Sequence, residues 1–408
     1  MRIVSIDRFY APHGGKERYQ FELAEVLTQH GHVVIPFALA EHDNVPSPFD
    51  RYFPPALAVR SPNPLAQARA ALRRAYNHES ARALGRLLDE TRPDIAHIHC
   101  LHHVSVSAAR LLRARGIPMV YTLHDYQLIC PVATLFRDGH ICEACRPHRY
   151  HQAVLHRCSH GKVTNSLAAA LDSSITWLSR EITHARRFIA PSHFVAKKFV
   201  DFGFPADRIV HLPYFAPTDK WTFELMPIRG PVIFAGRLQR LKGAHVFLDA
   251  LKRLALDEHQ EVVILGDGPE RAALELQARQ LGLRGVIFTG FLDHASIRDW
   301  YRRSLFAVVP SLWHEVLGFA VLEPFSVGRP VIGARSGGIP EVIEDGVNGV
   351  LVDPGDPAAL AAAIGRLLAN PSERTQMGAR ARARAEEVYG PEAHYNALLT
   401  IYDSALGR

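Results

Sequence analysis

The stretch SLWHEVLGFAVLEP, residues 311–324, follows a short apolar run and is typical of a turn that leads from a β-strand into an α-helix. This pattern places Glu315 in the turn and Glu323 about one and a half turns inside the helix. The first amides of that helix, at Gly318 and Phe319, lie at its positive end, where a phosphate can bind. Carboxylates accept hydrogen bonds from vicinal hydroxyls, so the two glutamates indicate ribose or sugar recognition. The alternative is that both simply lie on a helix surface.

Short β-branched runs alternate with helical patterns along the whole chain. In the first half the predicted strands are Arg2–Ile6, His32–Phe37, Ile95–His99, Met119–Leu123, Phe188–Ala190 and Ile209–Leu212. In the second half they are Val232–Ala235, Val262–Leu265, Val286–Thr289, Phe306–Val309, Val331–Gly333 and Val350–Val352. Helical patterns such as Glu17–Gln29 and Ser80–Thr91 separate them. This alternation predicts an α/β protein with two doubly wound parallel sheets.

The domain boundary is expected in the polar, proline-containing segment Pro213–Gly230. We predict an N-terminal domain over 1–215, with a cysteine-containing insertion at about 126–165, and a C-terminal domain over 216–385. A helical pattern over 386–408 would pack back on the first domain. Ligands of open parallel sheets bind beyond the carboxyl ends of the strands, so the functional site is expected in a cleft between the two domains.

Composition narrows the class of protein. The 408 residues are 48% apolar and 22% charged, as in a globular chain of about two domains. No run of about 18 uncharged apolar residues is present, and the amino terminus lacks the apolar core and cleavage site of a signal peptide. Five cysteines, an odd number, fit reduced thiols better than a disulfide framework. We therefore expect a cytoplasmic protein.

Charge is unevenly distributed. Residues 1–215 hold 26 basic and 18 acidic side chains, a net charge of +8, whereas residues 216–408 hold 21 and 23, a net charge of −2. The segment Arg60–Arg92 contains seven arginines and three acids. It would form a solvated helix face, or it would bind a phosphorylated acceptor or the anionic cytoplasmic face of the plasma membrane. Nucleic acid is disfavoured because no binding motif with interleaved aromatics accompanies the arginines.

Other predicted strand ends carry groups suited to phosphate. The segment Phe234–Gly243 places Arg237 and Lys242 just after a strand, and arginine binds phosphate bidentately while lysine acts as a point charge. The pair Gly14-Gly15 precedes the first helix and would let a ligand approach the backbone closely. The turn Gly266–Pro269 is similar. None has the spacing of a dinucleotide fingerprint, and each alone also fits an ordinary loop.

Together these motifs resemble glycosyltransferase family 4, which has the GT-B fold of two Rossmann-like domains facing a central cleft. The resemblance is carried, in the family's order, by Gly14-Gly15, Thr122-Leu123-His124-Asp125, Gly236-Arg237 with Lys242-Gly243, Gly266-Asp267-Gly268-Pro269, Glu315 with Glu323, and Ser336-Gly337-Gly338-Ile339-Pro340-Glu341. These motifs cover nearly the whole chain and are specific in combination. The resemblance implies retaining transfer of a hexose from a nucleotide diphosphate sugar, with no cofactor and no catalytic metal.

The resemblance also assigns roles in the C-terminal half. Arg237 and Lys242 would hold the diphosphate and stabilise the charge that develops on it as the glycosidic bond breaks. Glu323 would bind the ribose hydroxyls and Glu315 the hydroxyls of the donor sugar. The amides of Gly318 and Phe319 would bind the phosphate or the sugar. The remaining residues expected at the donor are Gly236, Gly266 and Phe291, the last in the loop that resembles the family's nucleobase contact.

Two elements of the N-terminal half complete the expected site. Gly15 would approach the phosphate, and His124 would lie near the reaction centre and donate a hydrogen bond. A buried histidine with a structural role is the alternative for His124. Asp125 is a strand neighbour of His124 and points to the opposite side, which favours a structural role. No carboxylate nucleophile is assigned, because on the family's model the departing phosphate helps to deprotonate the acceptor.

Four cysteines lie in the predicted insertion, with the spacing Cys-x11-Cys-x2-Cys-x12-Cys: Cys130, Cys142, Cys145 and Cys158. The central Cys-x2-Cys pair has the spacing of zinc ligands, and four thiolates could close a structural site. The outer spacings are not diagnostic. Structural zinc, free thiols in a packed insertion and redox chemistry therefore all stay open.

The preferred interpretation is an enzyme that adds a hexose to a glycan or lipid-linked acceptor of a cell-surface polysaccharide. Within enzymes, the alternatives are a sugar-nucleotide epimerase or a phosphorylase on the same fold. The alternative from another class is a non-catalytic module that binds sugar or lipid. The sequence leaves the donor base, the sugar and the acceptor undetermined.

Overall fold

The computed structural model describes residues 1–12, 14–57, 70, 73–254 and 259–408. These residues form two compact units. The first comprises Met1–Leu135, Glu143–Leu212 and Tyr395–Arg408, and the second comprises Phe136–Cys142 and Pro213–His394. The predicted cysteine-containing insertion is therefore divided between them. Within the described residues, none of the helices combines the length and apolarity needed to span a bilayer.

The first unit is built on a six-stranded sheet with the order β2-β1-β3-β4-β7-β8, in which all neighbouring strands are parallel. Its strands are β1 Arg2–Ile6, β2 Val33–Phe37, β3 Ile95–Ile98, β4 Met119–Thr122, β7 Arg187–Ala190 and β8 Ile209–His211. A two-stranded antiparallel hairpin, β5 Phe136–Arg137 with β6 His140–Ile141, lies between β4 and β7 in the chain. Strand order reverses at β1, as in a doubly wound fold.

Helices connect these strands, as parallel pairing requires. They are α1 Gly15–Gln29, α2 His78–Thr91, α3 Val106–Ala114, α4 Gln152–Leu155, α5 Val163–Ser179 and α6 His193–Asp201. Local chemistry sets their starts: the side chains of Asn77 and Ser192 each accept a hydrogen bond from an amide in the first turn of the helix that follows.

The second unit repeats the architecture with the order β11-β10-β9-β12-β13-β14, again entirely parallel. Its strands are β9 Val232–Ala235, β10 Val262–Leu265, β11 Val286–Gly290, β12 Phe306–Val309, β13 Val331–Ala334 and β14 Gly349–Val352. The predicted strands of both halves are confirmed. The continuous apolar runs of β10 and β12 are buried along their whole length, because helices cover both faces of a parallel sheet.

Helices of the second unit surround this sheet. They are α7 Ala244–Lys252, α8 Arg271–Gln280, α9 His294–Arg303, α10 Phe319–Ser326, α11 Ile339–Val342, α12 Pro357–Ala369 and α13 Pro371–Glu387. The core between sheet and helices includes Phe234, Phe247, Phe306 and Ile364, all essentially inaccessible to solvent. The loops that leave the carboxyl ends of β9, β10 and β12 emerge at one edge of this sheet.

The final helix, α14, runs over Pro391–Leu406. From Tyr395 onward it belongs to the first unit, where the Tyr395 ring stacks on His30 with 3.7 Å between centroids. The hydroxyl of Tyr402 lies 2.7 Å from Nδ1 of His97 on β3. These contacts join the end of the chain to the first sheet.

Candidate functional site

Lys242 and Glu315 meet at the carboxyl edge of the second sheet. Lys242 ends a 3₁₀ turn after β9, and Glu315 lies in the loop between β12 and α10. The ammonium of Lys242 lies 2.7 Å from Oε1 of Glu315, and the hydroxyl of Ser311 donates to the same oxygen at 2.6 Å. Only 7% of the Glu315 side chain is exposed, compared with 26% for Lys242. In this ion pair the carboxylate is therefore largely shielded from solvent, whereas the ammonium is partly exposed.

The ionisation of Glu315 is decided by two opposing effects. Burial disfavours its charge and would raise its pKa, but the charge and hydrogen bond of Lys242, together with hydrogen bonds from Ser311 and Trp313, outweigh burial. The result is a pKa below the ordinary value of 4.5. Glu315 is thus an ionised acceptor at neutral pH. The Lys242 ammonium also lies 5.1 Å from the centre of the Trp313 ring, which favours the cation further.

The Ser336–Glu341 motif packs against the backbone of the loop that carries Glu315. A side chain at Gly337 would place its Cβ 2.1 Å from the carbonyl oxygen of Glu315, and Gly337 also has a φ of +61°. The amide of Gly338 donates to that same carbonyl at 2.7 Å. The hydroxyl of Ser336 donates to the carbonyl of Trp313 at 2.9 Å. The glycines therefore let two loops pack backbone to backbone and fix the position of the Glu315 carboxylate.

Helix α10 begins where the sequence predicts. Gly318 is its N-cap, with a φ of +100°, and Phe319 is its first residue. The Phe319 ring stacks on Tyr214, at 4.8 Å between centroids and 8° between planes, which fixes the direction of the helix start. Glu323 lies in the second turn and is buried, with 8% of the residue exposed. An acidic side chain buried this close to a positive helix end can accept hydrogen bonds from a bound polyol.

Two glycine turns complete this edge of the sheet. Gly266 follows β10 with a φ of +130°, and a Cβ there would lie 2.1 Å from the carbonyl oxygen of Gly236. The turns after β9 and β10 therefore touch through their backbones. Arg237 is exposed beside Gly236, and Phe291, after β11, is 72% exposed. The structure brings Lys242 and Glu315 into contact and leaves the side chains of Arg237 and Phe291 open to solvent.

The first unit has its own charged cluster at the corresponding edge. Gly15 is the first residue of α1, and the next residue, Lys16, contacts Asp7 at 2.7 Å and Glu17 at 3.2 Å. Burial raises the pKa of Asp7 to about 6, against the opposing charge of Lys16, and the charge of Glu17 raises it further. The pKa of Lys16 lies well above its usual range because the charge of Asp7 outweighs burial.

His124 lies at the end of a column of histidines. Its Nε2 is 3.0 Å from Nδ1 of His99, whose ring stacks on that of His97 at 4.2 Å between centroids. The ring of Tyr19 packs edge-on against His124 at 5.2 Å. Burial lowers the pKa of both His99 and His124 well below 6.5, so both are neutral at pH 7. His97 and His99 were not predicted as site residues, although alternate histidines in the run HIHC, residues 97–100 at the end of β3, indicate one shared face.

Asp125 has local structural contacts. Its carboxylate accepts a hydrogen bond from the amide of Gln127 at 2.8 Å, and burial raises its pKa above the ordinary value. The side-chain amide of Gln127 in turn contacts Nδ1 of His102 at 2.6 Å. The turn after β4 is organised by these contacts.

The zinc interpretation of the insertion is not supported by the thiols that belong to the first unit. Zinc–sulfur bonds of about 2.3 Å would bring thiolate ligands within about 4 Å of one another. In the described part of that unit, the sulfur atoms of Cys130, Cys145 and Cys158 do not all lie within 4.8 Å of one another. Cys130 is buried, and its thiol and that of Cys145 lie near Tyr150, whose pKa they raise together with burial.

The structure describes only part of the arginine-rich segment Arg60–Arg92. Arg60 and Arg69 lie outside the described residues. Arg73 is ion-paired with Glu79, and Arg74 contacts Asp172 on α5 at 2.8 Å. Arg73 and Arg74, the first described arginines of this segment, therefore both have acidic partners within the first unit.

Comparisons with known proteins agree with this architecture. The family model described as Glycosyltransferase Family 4 matches residues 13–220, about half of the chain. A second model, described as Glycosyl transferases group 1, matches residues 229–384. The two matches fall on the two halves that carry the two sheets.

Two curated relatives illustrate the range of similar proteins. The D-inositol 3-phosphate glycosyltransferase of Xylanimonas cellulosilytica is 38% identical over 189 residues, 45% of this chain and 44% of the relative. The O-antigen chain mannosyltransferase C of Escherichia coli is 32% identical over 176 residues, 43% of this chain and 46% of the relative. The chain thus matches less than half the length of these relatives.

Solved structures match over the whole chain. Sucrose-phosphate synthase of Thermosynechococcus elongatus has a TM-score of 0.73 at 18% identity, covering 100% of this chain and 99% of that one. HepE of Anabaena, in complex with UDP and glucose, has a TM-score of 0.69 at 20% identity and covers 99% of this chain and 100% of that one. At such identities the likeness establishes the fold, which is GT-B.

Proposed function

Because the chain belongs to glycosyltransferase family 4, we propose that it transfers a hexose from a nucleotide diphosphate sugar to a glycan or lipid-linked acceptor, with retention of anomeric configuration. The observation that carries this proposal is the Lys242–Glu315 ion pair beside the start of α10. Anabaena HepE forms a complex with UDP and glucose, and the Escherichia coli relative is an O-antigen mannosyltransferase. The first supports a nucleotide-sugar donor, and the second supports a cell-surface polysaccharide product.

The arrangement suits a donor whose charge is concentrated on its diphosphate. Lys242 and the exposed guanidinium of Arg237 would bind the phosphates from the end of the same strand. The start of α10, at Gly318 and Phe319, would supply backbone amides to the phosphate or the sugar. Glu323 would accept hydrogen bonds from the ribose hydroxyls. Because Gly236 and Gly266 have no side chains, the two neighbouring turns would leave room for the donor to approach their backbones.

The ion pair gives Lys242 and Glu315 complementary tasks. Without a donor, Glu315 neutralises Lys242 and holds its ammonium at the edge of the sheet. Lys242 and Ser311 share one oxygen of Glu315, and a carboxylate has about four acceptor positions, so the group can also accept from hydroxyls of the donor sugar in addition to Trp313. A bound diphosphate would share the lysine with Glu315.

Catalysis would come from stabilising charge on the leaving group. As the bond between the anomeric carbon and the phosphate oxygen breaks, the departing nucleotide gains negative charge, and Arg237 and Lys242 would interact with it more strongly than with the ground state. The acceptor would attack on the same face and pass its proton to the departing phosphate. His124, neutral at pH 7, would contribute a hydrogen bond from the first unit without adding charge. This reaction would proceed without a cofactor or a catalytic metal.

A donor panel tests the proposal. Purified protein would be incubated with UDP, GDP, ADP and dTDP sugars, and both the shift of the unfolding temperature and the slow release of the nucleotide diphosphate would be measured. We expect the sugars of one nucleotide class to raise the unfolding temperature of the protein. The protein should hydrolyse the same sugar nucleotides slowly, at a rate that a metal chelator does not change. Anomeric NMR of the transferred sugar would establish retention.

The same samples separate the alternatives. Isomerisation of the nucleotide sugar without an acceptor would indicate an epimerase. Phosphorolysis that needs pyridoxal phosphate would indicate a phosphorylase. Glycan binding with no response to any nucleotide would indicate a non-catalytic module. Any of these three results would overturn the proposed transferase activity.

A further inference from the structure

Helix α5 exposes its large apolar side chains. Val163, Leu167, Leu171 and Ile175 recur every four residues, Leu178 adds one more, and their exposed fractions range from 37% to 76%. A spacing of four residues keeps these side chains on one stripe of the helix. We call these five residues the α5 stripe. An apolar stripe of this length on the outside of a globular unit marks an interaction surface.

The inward face of the same helix has the opposite composition. Ser166, Ala169 and Ala170 are buried there, and they are small. Trp177 adds one aromatic ring, which is partly buried and stacks on His148 at 3.4 Å between centroids. The helix therefore packs through small residues and one aromatic, and it turns its large aliphatic residues outward, against the usual pattern of a surface helix. Ser174 is not a stripe residue but lies between Leu171 and Leu178 on the same side of the helix. It donates its hydroxyl to the carbonyl of Ala170 at 2.7 Å, so it presents no unsatisfied donor outward. The neighbouring helix α4 adds Leu155, which is 69% exposed.

Cations flank the α5 stripe at both ends. Lys162 is the N-cap of α5 and Arg180 its C-cap, and both are exposed. Between residues 151 and 190 there are five lysines and arginines and two acids. Both acids are already engaged within the unit, Asp172 by Arg74 at 2.8 Å and Glu181 by Arg113 at 2.7 Å. The surface around the stripe is therefore cationic.

A cationic pocket follows directly in the chain. After Arg180, the 3₁₀ turn Ile182–His184 leads to a depression of about 360 Å³. Its charged lining consists of Arg113, Arg186, Arg187, Arg208, His184 and Asp207. Arg208 donates to the carbonyl of Thr183 and so ties the pocket to that turn. Arg113 already pairs with Glu181, so the pocket offers three further guanidinium groups against the carboxylate of Asp207, a balance that suits an anionic phosphate group.

We propose that α5 binds the surface of an anionic phospholipid bilayer, with the α5 stripe in the boundary between headgroups and acyl chains and with Lys162 and Arg180 among the headgroup phosphates. The helix has 17 residues and is about 25 Å long, and its inner face packs on the first unit, so it lies in the membrane plane and does not cross the bilayer. Charge argues against a second copy of the chain, because a two-fold contact would bring the cationic ends of two identical surfaces together.

This inference does not depend on the transferase reaction. It places membrane contact on α5, whereas the sequence offered Arg60–Arg92 as one candidate for such contact, beside a solvated helix face and a site for a phosphorylated acceptor. Sedimentation of the full chain with vesicles tests it. We expect binding to vesicles rich in phosphatidylglycerol and at least tenfold weaker binding to pure phosphatidylcholine. Binding to the anionic vesicles should decrease as the salt concentration rises.

Matched variants assign the binding to the stripe and its cations. Leu167→Gln combined with Leu171→Gln should weaken binding at least tenfold, whereas Leu276→Gln, at an exposed leucine of α8, should not change it. Lys162→Glu combined with Arg180→Glu should also weaken binding at least tenfold. Arg279→Glu combined with Arg284→Glu, at two exposed arginines of the second unit, changes the net charge by the same amount and is the matched control. Circular dichroism would verify that each variant is folded.

Three results would overturn the proposal. The first is vesicle binding that is unchanged in the folded double-leucine variant. The second is the absence of binding to any vesicle. The third is a dimer in solution that the leucine substitutions dissociate, which would assign the stripe to a second copy of this chain. Thermal stabilisation by nucleotides would be measured in the same variants, and we expect it to be unchanged. This measurement distinguishes a failure of the donor proposal from a failure of the membrane proposal.

Discussion

The ammonium of Lys242 lies 2.7 Å from Oε1 of Glu315, although 73 positions separate the two residues in the chain. Each follows a different strand of the second sheet, and β9 and β12 are hydrogen-bonded neighbours. Parallel pairing brings the carboxyl ends of these strands to one edge, so the two loops meet there. Burial of the carboxylate makes its ionisation depend on the lysine.

The first prediction concerns the stability of this pair. Lys242→Met leaves the Glu315 carboxylate buried without its main partner, and we expect the free energy of unfolding to fall by about 3 kcal/mol, near the lower limit for a buried pair because the lysine is partly exposed. Combining it with Glu315→Gln should recover at least half of that loss. Urea denaturation measures both. A double variant no more stable than the single one would contradict this account.

The same pair has a defined pH dependence. The pKa of Glu315 is below 4.5 in the folded protein, so its stabilising contribution is present above about pH 4.5 and is lost as the pH falls through the folded pKa. In Lys242→Met the lowering influence of the lysine is gone and burial raises the pKa. The stability deficit of that variant should therefore decrease between pH 8 and pH 5. A deficit independent of pH would show that the carboxylate is not its source.

The second prediction concerns the backbone behind Glu315. Gly337→Ala would force a residue with a side chain into a positive φ and also place a methyl group 2.1 Å from the Glu315 carbonyl oxygen. Gly346→Ala is the matched control, because it has a φ of +76° and nothing within 4 Å of the new Cβ. We expect Gly337→Ala to lose at least about 2 kcal/mol more stability than the control. Its nucleotide affinity should also fall. Equal losses of stability in the two variants would show that the close contact between Gly337 and the Glu315 carbonyl is not what the Ser336–Glu341 motif contributes.

Much of this architecture could be predicted from the sequence. Runs such as Val262–Leu265 are continuously apolar because helices cover both faces of a parallel sheet, and the predicted strands agree with the observed ones to within one residue at either end. The start of α10 just after Gly318 was equally predictable, because a glycine separates the turn from the helical pattern.

Other features depend on tertiary contacts that no local pattern encodes. The pairing of Lys242 with Glu315 requires two distant loops to meet at one edge. The histidine column needs β3 and β4 to be neighbours, which places His99 beside His124. The stripe on α5 could not be predicted, because an apolar helical pattern normally indicates burial and only the structure shows which face is turned outward.

The third prediction uses the charged cluster of the first unit. Asp7 has a pKa of about 6, above its ordinary 3.8, so the stability it contributes is present below pH 3.8 and is lost as the pH rises through 6. Lys16→Met removes a charge and a hydrogen bond that lower this pKa. The loss of stability should therefore extend to higher pH. For each unit by which the pKa of Asp7 rises, the decrease in the free energy of unfolding between pH 5 and pH 8 should grow by about 1.4 kcal/mol. Urea midpoints across this range measure it.

Glu17→Gln is the control for that prediction, because the charge of Glu17 raises the pKa of Asp7 and its removal should shift the loss of stability to lower pH. The two variants should therefore change the pH profile in opposite directions. Shifts in the same direction would mean that the interactions of Asp7 are not electrostatic in the way the structure indicates.

The fourth prediction separates donor binding from bond cleavage. Glu323→Ala should weaken donor binding, chiefly by raising the apparent KM, since ribose hydroxyls are bound equally in the ground and transition states. Arg237→Ala should lower kcat more than it raises KM, because the leaving diphosphate gains charge as the bond breaks. Losing a hydrogen bond to a charged group costs about 1.5–3 kcal/mol, or roughly 10- to 150-fold. Arg284→Ala, at another exposed arginine of the second unit, should leave both parameters unchanged. Equal changes of kcat and KM in the Glu323 and Arg237 variants would show that the two residues do not divide binding and cleavage between them.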